Sequence, residues 1–173
     1  MKAQRTLAVL SWLIIALALV AAGAGVLWQG GSRFEFTTLR GQTVEMWGSG
    51  LYRLDSAAGA SQEIAQDVVT LVLGIPLLIA ATVLAARGSL RGKVLHAGTL
   101  GYFLYTYTSM VMLTAYNEFY LIYVALFSMS LFAFILSLMA IDVNNLPAHF
   151  TDRLPRRTIA SFLVFLGVML ALL

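Results

Sequence analysis

Long apolar runs separated by short polar segments make up most of this chain. A hydrocarbon layer about 30 Å thick is crossed by about 20 apolar residues of helix. Four runs reach that length: Leu7–Trp28, Val68–Ala86, Val94–Tyr116 and Phe119–Ile141. A fifth, Thr158–Leu173, is shorter; at about 1.5 Å per residue it reaches only about 24 Å. It reads as a partial span, with the expectation that the natural protein continues beyond it. No Lys, Arg, Asp or Glu lies inside the four full runs, and Asp67, Glu118 and Asp142 mark their edges. Charges in mid-span are costly and commonly functional, so their absence argues against a pump or proton relay built on buried carboxylates. The pattern predicts an all-α, polytopic transmembrane helix bundle. It has four full spans plus a fifth partial span and forms a single transmembrane domain over residues 1–173.

The period changes in the polar segment 29–66. Arg33–Leu39 alternates apolar and polar, with Phe34 and Phe36 on one face; Gly41 offers a turn; Thr43–Trp47 alternates again. This reads as a small extracytoplasmic β-hairpin. A lone two-stranded hairpin is marginally stable and needs something to pack on. One reading seats its apolar face on the helix ends or the bilayer surface. The other makes Phe34, Phe36, Trp47 and Tyr52 a binding surface. Trp47 and Tyr52 are also residue types that settle at membrane–water interfaces. A helix is expected from Asp55 or Ser56, with a break at Gly59 possible before it enters the second span.

Composition supports the membrane reading. Of 173 residues, 60% are hydrophobic and 11% charged, against about 45–50% and about 25% in soluble domains. With no cysteine there is no disulfide, thiolate nucleophile or cysteine metal site. The net charge of +3 reflects topology, not nucleic-acid binding. Lys2 and Arg5 precede span one, Arg87, Arg91 and Lys93 fill the loop after span two, and Arg153, Arg156 and Arg157 follow span four. Arg33, Arg40 and Arg53 face Glu35, Glu45, Asp55, Glu63, Asp67 and Glu118 on the other side. The positive-inside rule then makes the amino terminus cytoplasmic and the location a cell inner membrane. A signal-peptide reading of span one, cut near Ala22–Ala24, competes with retention; retention is favoured because apolar character continues to Trp28.

Small residues at Ala18, Ala21 and Gly25, and at Ala81 and Ala85, allow close helix approach within the chain or between copies in a homo-oligomer. Pro76 should kink span two. Span three is unusually polar, and helical spacing puts Tyr102, Tyr105, Ser109 and Tyr116 near one stripe. Two readings stand: an interhelical hydrogen-bond network, or a polar pocket formed by Asp67, Tyr102, Tyr105, Ser109, Tyr116, Asn117 and Glu118. His96 and His149 have no metal-ligand spacing, and the basic loop Arg87–Lys93 is explained by topology. No catalytic, cofactor-binding or metal residue is assigned.

The segments LYRLD, VVTLVLGIPLLIA, RGSLRGK, GTLGYFLYTYTSM and AYNEFYLIYVALFSMSLFAFI resemble a family of uncharacterised bacterial multi-pass membrane proteins. The likeness covers roughly Thr37–Ile141. It implies further spans beyond this chain, which would then be a truncated N-terminal portion, and it transfers no catalytic residue. The leading functional expectation is a non-enzymatic sensing, scaffolding or partner-binding membrane protein that uses the extracytoplasmic segment. The alternative is a small-solute or lipid-like transporter using the polar stripe of span three. The third is an intramembrane enzyme on a lipid substrate, with Asp67 and Glu118 as acid or base. Beyond a protein partner or second copy, the expected surroundings are the lipid bilayer.

Overall fold

The computed structural model describes residues 2–28, 30–143 and 155–172. The readings of His149 and Arg153 lie outside these residues. What is described is mostly helical, with five helices and one two-stranded sheet. It falls into two compact units, one reaching Ile141 and one starting at Asp142.

In the first unit, helix α1 spans Lys2–Leu27. Strands β1 (Phe34–Thr37) and β2 (Thr43–Met46) follow, and then a 3₁₀ turn, Gly50–Tyr52. Helix α2 (Ala57–Val69) runs through a wide π turn, Thr70–Gly74, into α3 (Ile75–Ala86), making one continuous helix. Helices α4 (Leu90–Leu113) and α5 (Tyr120–Met139) complete the unit. The second unit contains α6, Arg156–Ala171. Three helices, Gln4–Leu27, Ala57–Ala86 and Tyr120–Met139, are long and apolar enough to cross a membrane.

Local chemistry accounts for the element ends. Ser56 caps α2, accepting a hydrogen bond from the Gly59 N–H, and the helix passes Gly59 unbroken. Ser89 caps α4 in the same way, through the Gly92 N–H. Between them Gly88 closes α3 with φ +79°, a left-handed conformation that a Cβ disfavours. Helix α4 stops at Leu113 because Thr114 is extended, so residues 114–116, assigned to span three by hydropathy, belong to a loop. At Pro76 the chain meets a missing N–H and a ring that crowds the carbonyl four residues back. It answers with the π turn, in which the Ile75 N–H reaches back to the Thr70 carbonyl. Such wide turns accommodate one extra residue inside a helix.

The four helices of this unit form a ring. α1 packs on α2, α3 and α5, and α4 packs on α3 and α5. Ile14, Ala18 and Ala21 of α1, Leu78 and Ala81 of α3, Leu100, Phe103 and Tyr107 of α4, and Leu126 and Ala133 of α5 meet inside. The small residues therefore serve packing within the chain. Large apolar side chains cover the outside as well: Val9, Leu13 and Val20 on α1, Val72, Leu73 and Leu77 around the π turn, Leu121, Phe132 and Leu138 on α5. Water would penalise that surface and lipid would not. In lipid such helices associate through close packing and internal hydrogen bonds, not apolar burial.

The hairpin has the expected register. Phe34 pairs with Met46 and Phe36 with Val44 on one face; Glu35 pairs with Glu45 on the other. Arg33 offsets that like-charge pair. Its guanidinium lies 4.8 Å from the Trp47 ring centroid and 3.3 Å from Glu45 Oε1.

Candidate functional site

At the hairpin end of the bundle a buried polar network joins four segments. Its centre is Asp67, only 3% exposed. Asp67 borders the apolar run, as expected, but the helix that begins at Ala57 has made nearly three turns by then and turns this carboxyl to the core. Tyr52, also buried, donates its hydroxyl to Asp67 Oδ2 at 2.6 Å. Burial first, and the adjacent carboxyl second, push the Tyr52 phenol far above its usual range, so it acts as a fixed donor. Its single proton is committed to Asp67, so at the 3.4 Å contact with Tyr123 the Tyr123 hydroxyl is the donor. The Tyr107 ring stacks on Tyr123 with centroids 6.4 Å apart. From α1, Gly25 makes room: a Cβ there would overlap Asp67 Oδ2 and approach the Tyr52 hydroxyl.

A second cluster lies one turn further along. Gln66 Nε2 donates to Tyr102 Oη at 2.7 Å and to Thr106 Oγ1 at 3.1 Å. Thr70 Oγ1 donates to the Gln66 carbonyl at 2.9 Å. The 2.9 Å contact between Thr70 and Tyr102 is therefore donated by Tyr102. The donors run head to tail around a closed loop, which leaves no buried hydroxyl there unsatisfied. Gly74 gives the Tyr102 ring its space, since a Cβ at 74 would sit 2.9 Å from Tyr102 Cε1.

Three further links fasten the segment after the hairpin. Asp55 Oδ1 accepts the Ala115 N–H at 2.8 Å. Arg53 grips Glu118 with two bonds, Nη1 to Oε2 at 3.1 Å and Nη2 to Oε1 at 2.5 Å. Thr114 donates to Glu63 Oε1 at 2.9 Å.

The residues of the expected pocket are dispersed accordingly. Asp67 and Asn117 are buried, and Tyr102 and Ser109 are half-buried. Tyr105 and Tyr116 point outward at 70% and 72% exposure, and Glu118 is at the surface with Arg53. The inward face of α4 is Leu100, Phe103, Tyr107 and Met110, rotated away from the stripe assumed from spacing. Asp67 and Glu118 therefore share no pocket. On the hairpin side, Phe34 and Phe36 are exposed and Trp47 half-buried, while Tyr52 is buried and belongs to the network. The residues missed were Gln66, Thr70, Tyr107 and Tyr123. Gln66 and Thr70 share a helix face at i, i+4, a spacing that could have flagged them. No cluster of His, Asp or Glu suited to a metal occurs among the described residues.

One acid-sensitive link is expected. Hydrogen bonds from Arg53 hold the Glu118 carboxyl below its ordinary 4.5. A depressed carboxyl favours the folded arrangement above its unfolded value and loses that contribution as pH falls through the folded one. Protection of the 30–56 segment from protease should therefore weaken as pH drops below about 4.5. Glu118→Gln should remove that part of the response; an unchanged pH profile would place the sensitivity elsewhere.

Comparison of the chain with protein-family models, with curated proteins and with solved structures finds no match.

Proposed function

We propose that this is a multi-pass membrane protein, with its amino terminus in the cytoplasm of a bacterial cell, that presents the hairpin outside the inner membrane to a protein partner. On this reading α4 also spans. Its tyrosines, threonines and serines lower its hydropathy, and its neighbours α3 and α5 shelter part of that polar surface. The observation that carries the proposal is a contrast in burial. The base of the segment is tied to the bundle through Tyr52, Arg53 and Asp55, yet the two phenylalanines on the apolar face of the hairpin stay exposed. Phe34 is 46% exposed, Phe36 53%, and Leu39 at the turn fully so. Apolar side chains held out on a braced two-stranded support form a preorganised contact surface, which lowers the ordering cost of association. Exposed apolar patches of this kind commonly mark interaction sites.

A transporter would instead draw on Tyr105 as the lining of a water-filled path, and Tyr105 faces outward. An enzyme would need Asp67 and Glu118 in one cleft. Neither arrangement has the geometric support that the hairpin has.

The test combines Phe34→Ser with Phe36→Ser in the full chain. Photocrosslinking from position 44 in intact cells should lose its protein adduct. Bundle stability should stay within about 0.5 kcal/mol, as for surface changes. The competing occupant of the apolar face is the bilayer. A polarity-sensitive fluorophore at position 36 in lipid nanodiscs should report water; a hydrocarbon signal would overturn the proposal.

A further inference from the structure

We infer that the opposite end of the bundle holds a site for a phosphate group. A cavity of about 490 Å³ opens there, between the starts of α1 and α4 and the ends of α3 and α5. That is within the range of about 300–1,000 Å³ usual for small-ligand sites. Its polar wall comprises Gln4, Arg5, Thr82, Lys93, His96 and Ser137, and the remainder is small and apolar.

Three observations bear on the ligand. The first is charge. Arg5 and Lys93 come from different helices and line one cavity, whose wall holds no carboxylate. The described carboxylates up to Ile141, namely Glu35, Glu45, Asp55, Glu63, Asp67 and Glu118, all lie in the segment after α1, in α2 or in the loop between α4 and α5. Membrane topology requires only that cations flank the spans, and the exposed Arg87 and Arg91 meet that need. It does not require two cations from different helices to line one cavity. The second is the helix termini. Arg5 and Lys93 lie in the first turns of α1 and α4, where unpaired backbone N–H groups add positive potential.

The third is the place of His96, which is 2% exposed and forms part of the wall. Its Nε2 lies 2.8 Å from Ser11 Oγ and 3.3 Å from Thr82 Oγ1, so the ring is held between α1 and α3 as a fixed hydrogen-bonding group of the wall. The ligand is a phosphate group, carried either by a lipid headgroup or by a soluble metabolite.

The test uses the full chain in neutral detergent, with inorganic phosphate and short-chain phosphatidic acid as probes and binding read by native mass spectrometry and thermal shift. At least one probe should bind. Arg5→Gln with Lys93→Gln should weaken it by about tenfold or more, since two charge-assisted bonds are lost. Ala140→Trp, which fills the cavity without altering charge, should do the same. Arg91→Gln, an exposed cation outside the wall, should leave binding intact. Phosphatidic acid that inorganic phosphate cannot displace assigns the lipid source, and displacement assigns the soluble one. Absence of binding by either probe would overturn the inference. So would unchanged binding by Ala140→Trp, or a loss in Arg91→Gln equal to that in the double variant.

Discussion

Asp67→Ala is expected to release the hairpin segment from the bundle and to cost about 2–4 kcal/mol. Two effects combine: a buried phenol loses its hydrogen-bond acceptor, and a cavity opens where the carboxyl was. Asp67→Asn keeps an acceptor oxygen for Tyr52 and should cost less than half as much. Tyr52→Phe leaves the carboxyl without its donor. Combined with Asp67→Ala it should add little, giving a coupling of about 1–2 kcal/mol in a double-mutant cycle. Gly25→Ala tests the same clamp from the other side, because its methyl displaces the carboxylate while both partners remain. Thermal unfolding in detergent reads the stability. Trypsin cleavage after Arg53 reads the release, since that guanidinium is otherwise held by Glu118. Wild-type melting and cleavage in Asp67→Ala would show that the network does not hold the segment.

Gly92→Ala should destabilise the α3–α4 hairpin by about 2–3 kcal/mol, as overpacking does. The added Cβ would lie 2.5 Å from the Leu84 carbonyl carbon and 2.7 Å from the Ala85 nitrogen. These are backbone atoms, and no rotamer change can move them aside. The same substitution at Gly98, on the same helix, meets nothing within 4 Å. There it should be neutral or stabilise by up to about 1 kcal/mol, because glycine is a poor helix former. Opposite signs for one chemical change would establish that contact, and not helix propensity, decides. Equal effects would refute it.

The two sites differ in how much of them could be read beforehand. Long apolar runs and Gly41 between alternating segments made the helices and the hairpin legible, because those signals are local and periodic. Ser56 as a cap was legible for the same reason. The outward turn of Tyr105 was not. Which face of α4 points inward is set by Phe103 and Tyr107 meeting residues of α3 and α5, and spacing within one helix carries no information about neighbours. The burial of Asp67 was hidden for a similar reason. A helix from Asp55 or Ser56 into the second span was legible, but the Tyr52 hydroxyl that lets its carboxyl be buried comes from another segment. His96 carried no metal-ligand spacing, and its contact with Ser11 of α1 depends on how the ring of helices closes.

That ring closure has a consequence for biosynthesis. Helix α1 leaves the ribosome first, and α5, against which it seals, leaves after every other member of the ring. Before Met139 has been inserted, α1 can meet only α2, α3 and, through Ser11, His96 of α4, and its seam with α5 stays open. The α5-facing side of nascent α1 must therefore be sheltered, by the insertion machinery or by lipid, until then. A slow or stalled ribosome would prolong that exposed interval, so yield should fall more steeply with elongation rate than for a bundle built from consecutive pairs.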